Sequence, residues 1–137
     1  FVTSAETVRY GSCLFRHGAR EFYGNCFEAL RDDGILINQH ESPYYRNDAR
    51  EVQRMHEKTK ATFPINRVYQ VHIPTSPSGH WLFGFISKKY DPIKDLDAER
   101  WKSYGLKTQY YNTTLHRGAF ALPNYVLHLL GEEESDV

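Results

Sequence analysis

The sequence predicts an α/β fold, a sheet flanked by helices that closes in an antiparallel strand pair. Three observations carry this. Helical and extended stretches alternate along the chain, as in a helix-covered sheet. The apolar run ILINQ at 35–39 is short and unbroken, the pattern of a strand buried on both faces. The extended runs at 67–73 and 80–87 are separated only by PTSPSG, too short for a parallel crossover.

The elements follow in order. Residues 1–19 show no sustained period, and Gly11 and Gly18 punctuate them, so they read as an atypical loop segment. From residue 20 to 137 the chain reads as one domain. Phe22, Tyr23, Cys26, Phe27 and Leu30 place one apolar stripe on a helix over 20–30. Gly34 is expected to stop it in a left-handed conformation. The strand 35–39 follows, then a turn at 43–46. Asn47 or Asp48 is expected to cap the next helix, with Asp48 and Glu51 at capping-box spacing. Val52, Met55, Thr59 and Phe63 mark its buried face, and Pro64 ends it. RVYQVHI at 67–73 is rich in β-branched and aromatic side chains, and HWLFGFIS at 80–87 is nearly all apolar. Shorter helices are expected near 98–103 and 122–130.

Composition narrows the class of function. Lys plus Arg and Asp plus Glu both number 17, so no basic excess recommends nucleic acid as a partner. The apolar runs fall short of the ~18 residues a membrane span needs. No secretory leader pattern is present, so the expected compartment is the cytoplasm. Cys13 and Cys26 have no metal or redox spacing, and Cys26 reads as a small buried hydrophobe. His40, His72 and His80 lie near strand ends without a metal-ligand spacing, so no metal is expected.

Gln39 and Glu41 stand at the end of a strand, where open α/β sheets bind ligands; the plainer reading is that they cap the following turn. Trp81 reads either as core or as a pocket wall.

Gln-x-Glu-Ser-Pro, Ile-Pro-Thr-x-Pro-Ser-Gly and Tyr-Tyr-Asn…Leu-Pro-Asn-Tyr occur in that order within residues 22–45, 60–92 and 106–126. With the helix between the first two segments, they resemble bacterial spermidine synthases, the polyamine aminopropyltransferases, from Glu21 onward. The resemblance implies the C-terminal part of a Rossmann-like, methyltransferase-type fold. It implies a homo-oligomer with no metal. The activity implied is transfer of an aminopropyl group from decarboxylated S-adenosylmethionine to putrescine, giving spermidine and methylthioadenosine.

That chemistry is displacement at carbon. The sulfonium already activates the leaving group, so the protein supplies alignment and a neutral amine. An amine with a pKa near 10.4 is protonated at neutral pH, and a carboxylate must take its proton. By the resemblance, Gln39 contacts the diamine, Glu41 holds a cation, and the loop around Ser76 with Trp81 walls the slot. Ser76 departs from the family, which has tyrosine there. Thr3 stands where the family's general base is aspartate, leaving Glu6 as the nearest carboxylate. The family's Gly-rich cofactor loop would lie upstream of Phe1, so the isolated chain is expected to be inactive. The alternative is a non-catalytic remnant or interaction subunit of the same family.

Overall fold

The computed structural model describes residues 19–132. Thr3, Glu6 and Cys13, and most of the expected loop segment 1–19, lie outside the described residues. The elements are α1 (Ala19–Ala29), β1 (Ile35–Gln39), α2 (Arg46–Thr62), β2 (Ile65–His72), β3 (His80–Ser87), α3 (Ala98–Ser103), α4 (Thr113–Ala119) and α5 (Asn124–Leu130).

The sheet has three strands in the order β1-β3-β2. Both β1 and β2 pair antiparallel to β3. The hairpin between β2 and β3 is therefore as expected, but no parallel ladder forms among the described residues. The reason is topological. Strands β1 and β2 share a direction, as a helix crossover requires, but β3 returns through the short hairpin and inserts between them.

Register separates the two faces. Leu36 lies opposite Ile86, Asn38 opposite Gly84 and Val68 opposite Gly84. These residues face the helices α1, α2 and α5. Leu82, Val52, Val68, Val126 and Leu130 form one buried cluster, and Tyr23, Phe63 and Ile86 form a second. Cys26 packs partly buried against the second, and burial pushes its thiol pKa up. The opposite face carries Ile37, Gln39, Tyr69, Trp81, Phe83 and Phe85. It is only partly covered, by Phe120 just after α4, whose ring lies 5.3 Å from Tyr69.

Four local expectations need correction. Strand β1 is not buried on both faces: Ile37 is 49% exposed, because β1 is an edge among the described strands. Gly34 is not among the positive-φ residues. Its role is close approach, since a Cβ there would sit 2.7 Å from Leu30 Cβ and 2.9 Å from the Arg31 carbonyl. Helix α2 starts at Arg46 with Tyr45 as an extended N-cap that makes no side-chain hydrogen bond. Asn47 and Asp48 thus lie inside the helix, where Asp48 still favours the positive end of the dipole. Finally, α4 was not foreseen; Asn112 caps it by accepting from the Leu115 N–H at 2.7 Å.

Proline acts as expected at 64. Phe63 is extended (φ −114°, ψ 143°), and its N–H closes the last turn on Thr59 O. The buried stripe of α2 runs through Val52, His56, Thr59 and Phe63, with His56 where the periodicity picked only Met55.

Candidate functional site

The segment leaving β1 and the 74–79 turn meet beside the first half of β3. The His40 N–H donates to Leu82 O at 2.9 Å, and the Leu82 N–H reaches Glu41 O at 3.4 Å. Ser42 and Ser78 hydroxyls then join the two loops at 2.8 Å. Ser78 Oγ donates to His80 O at 3.1 Å, so the Ser42 hydroxyl supplies the proton between them. Gly79 (φ 68°) and Ser78 (φ 66°) are both left-handed. A side chain in that region costs about 1–2 kcal/mol, and the Ser78 hydroxyl contacts with Ser42 and the His80 backbone help hold it. The turn is further closed by Ser76 N–H to Ile73 O (3.0 Å) and Gly79 N–H to Ser76 O (3.0 Å).

Trp81 stands on the open face, one pair along from Phe83 and Gln39. Its Nε1–H donates to Pro77 O at 3.2 Å, so the turn fixes the indole. Trp81 and Pro77 line a cavity of about 530 Å³ with Tyr45, Arg46 and Asp48 at the start of α2. Gln39 is exposed, opposite Phe83 in the register. Glu41 is half-buried; burial, then the carboxylates of Asp48 and Glu51, push its pKa up. Glu41, Asp48 and Glu51 therefore concentrate negative charge near the cavity, relieved within it by Arg46. Such a field favours a cation. Of the expected site residues, Trp81 lines this cavity; Gln39, Glu41 and Ser76 are not among its lining residues. Asp48 and Tyr45 were missed as site residues because they read as a cap and a turn.

The three strand-end histidines differ in kind. His40 is buried, and desolvation followed by His56 pushes its pKa down to about 3. His80 is buried and bonded on both nitrogens. His72 is exposed and stacks on His80 at 5.7 Å. Among the described residues no three His, Cys, Asp or Glu side chains group as a metal site, and no helix is long and apolar enough to cross a membrane.

Comparison with known proteins bears on this arrangement directly. The model of the spermine/spermidine synthase domain matches residues 10–97. The polyamine aminopropyltransferase of Alkaliphilus oremlandii is 61% identical over 133 residues, 97% of this chain and 46% of that protein. That of Clostridium beijerinckii is 63% identical over 129 residues, 94% of this chain and 44% of the relative. The chain thus spans less than half the length of these curated relatives. The crystal structure of spermidine synthase from Thermotoga maritima superposes with a TM-score of 0.78 at 38% identity, covering 83% of this chain and 39% of that one. A spermidine synthase in complex with the transition state analogue AdoDATO gives 0.76 at 39% identity, covering 82% of this chain and 38% of that one. The ordered motifs around Gln39, Ser76 and Tyr125, the matched domain and these superpositions agree: the chain belongs to the spermine/spermidine synthase family.

Proposed function

We propose that this chain supplies the acceptor-amine side of an aminopropyltransferase that converts putrescine and decarboxylated S-adenosylmethionine to spermidine and methylthioadenosine. The observation that carries the reading is the charge pattern beside Trp81. Glu41, close enough to Asp48 and Glu51 for their carboxylates to raise its pKa, adjoins Ser42, which joins the β1 exit to the 74–79 turn through Ser78.

In this reading one ammonium of putrescine is drawn to the acidic group. The Gln39 amide oxygen accepts from a diamine N–H, and the Trp81 ring walls the methylene chain. The other nitrogen must be neutral to react. Its lone pair forms the new C–N bond while the C–S bond breaks, its electron pair passing to sulfur and releasing methylthioadenosine. The nitrogen's proton passes to a carboxylate, a role proposed for Glu6. Ser76, where the family has tyrosine, gives a wider slot with one long-reaching hydroxyl fewer. That departure favours the second reading, a non-catalytic member of the family that retains the fold.

Calorimetry with putrescine tests the site. A saturable heat that Gln39→Ala weakens about tenfold, the worth of a hydrogen bond to a charged group, supports the acceptor role. No heat, or a heat unchanged in Gln39→Ala, favours the non-catalytic reading. A coupled assay with both substrates is expected to show no turnover for the 137-residue chain alone. We expect a homo-oligomer in the cytoplasm; sedimentation of the chain tests the first.

A further inference from the structure

A second cavity, of about 430 Å³, opens at the tip of the β2–β3 hairpin and shares no lining residue with the first. Tyr44, Gln70, His72, His80 and Tyr125 form its polar and aromatic wall. A hydrogen-bond chain runs through it, and its direction is fixed from the inside outward. The Gln70 Nε2–H donates to Ala121 O at 2.9 Å, which turns Gln70 Oε1 toward His80 Nε2, also at 2.9 Å. An amide oxygen only accepts, so His80 Nε2 carries the proton. Burial, then His72, lower the His80 pKa and favour the neutral ring, leaving Nδ1 an acceptor. Tyr125 OH, 3.0 Å from Nδ1, therefore donates inward. Tyr44 OH, 2.9 Å from Tyr125 OH, donates inward in turn.

Both phenolic protons are thus committed to the protein, and the two oxygens have only lone pairs left to offer. Tyr44 is 59% and Tyr125 45% exposed, so this acceptor end meets solvent. Aromatic rings gather around it: Tyr44 lies 5.6 Å from Tyr125 and 5.7 Å from His80, and His72 stacks on His80 at 5.7 Å. Acceptor-only oxygens set among π-faces suit a cation that carries N–H donors. Among the described residues no carboxylate lines the cavity, so the acceptor oxygens and the ring faces do the selecting.

We propose that this cavity is a binding site for a primary alkylammonium group, separate from the cavity at Trp81. Its N–H groups donate to the Tyr44 and Tyr125 oxygens, and its charge lies against the surrounding rings. The site needs no aminopropyl chemistry, and it stands or falls apart from the function proposed above.

The probe is propylammonium chloride, titrated at about pH 8, above the ordinary histidine range, while the Tyr44, Tyr125 and His80 ring resonances are followed by NMR. A saturable shift is expected. Tetramethylammonium, which has a charge and no N–H, is expected to bind about tenfold more weakly, the loss of a charge-assisted hydrogen bond. Tyr44→Phe is expected to weaken propylammonium by a similar factor; its ring is exposed, so the fold survives the change. Tyr125→Phe is a second variant with the same expectation, and Gln39→Ala is expected to leave the shifts unchanged. Absence of saturation, equal binding of tetramethylammonium, indifference to both tyrosine variants, or loss of the shifts in Gln39→Ala would each overturn the proposal.

Discussion

The two faces of the three-stranded sheet are built from adjacent residues of the same strands and serve opposite ends. On the helix side Leu82 and Ile86 are 0% and 1% exposed. Even the polar groups there are enclosed: the Asn38 amide donates to Tyr23 OH at 2.9 Å, and His40 lies beside it under β3. The other face leaves Ile37 and Gln39 exposed and Trp81 half-buried at a cavity. One face holds the fold together; the other, with the loops at its edge, carries the candidate site. A sheet can do this because successive side chains point to opposite sides.

Substitutions on the two faces test that division, the largest effect coming first. Leu82→Ala should cost about 2–5 kcal/mol by leaving a cavity in the core. Phe83→Ala, next in sequence but half-buried, should cost clearly less in the same urea titration. Equal losses would break the comparison.

Gly84→Ala should cost about 1–3 kcal/mol through overpacking. The added Cβ would collide with Asn38 Oδ1 and sit 2.8 Å from His40 Cε1. A neutral result in thermal unfolding would mean that these side chains yield freely.

His40 gives the helix side a pH signature. Its folded pKa, about 3, lies below the ordinary 6.5. The unfolded chain therefore binds a proton that the folded chain refuses. Stability falls as pH drops below 6.5 and continues to fall toward 3. Glu132, its pKa lowered chiefly by His56 Nε2 at 3.3 Å, acts in the same direction as its folded carboxylate is titrated. His40→Gln should flatten the slope between those limits; an unchanged slope would place the acid sensitivity elsewhere.

The smallest stability effect belongs to the loop edge, and it has the opposite sign. Glu41 has a raised folded pKa, so its ionisation opposes folding above the unfolded pKa, and this opposition fades as pH falls. Glu41→Gln should slightly raise the thermal midpoint at neutral pH while weakening putrescine binding. A variant that is both less stable and equally able to bind would remove Glu41 from the site.

Much of this was legible beforehand. The strands at 35–39 and 80–87 and the helix at 98–103 stand where their patterns put them. Proline at 64 and the PTSPSG turn are local rules that tertiary packing has no cause to overrule. Where two local signals competed, the structure chose. Asp48 and Glu51 look like a capping box, yet the turn at 43–45 admits the helix three residues earlier. Gly34 looks like a left-handed stop, yet its constraint is the neighbouring Leu30 side chain. His56 was passed over because a polar residue on a buried stripe is identified only by what lies across from it, here Glu132 at 3.3 Å.

By itself the sequence determined the element order apart from α4, the hairpin, the family and Gln39, Ser76 and Trp81 as residues of interest, because turn chemistry, periodicity and ordered motifs are written in near neighbours. Tertiary structure alone decided that β3 lies between β1 and β2, that Asp48 and Glu51 bear on Glu41, and that Tyr44, Tyr125, His80 and Gln70 form one directed chain. Those relations join residues as many as 81 positions apart. Distance along the chain carries no record of such contacts until hydrophobic burial and strand register bring the partners together.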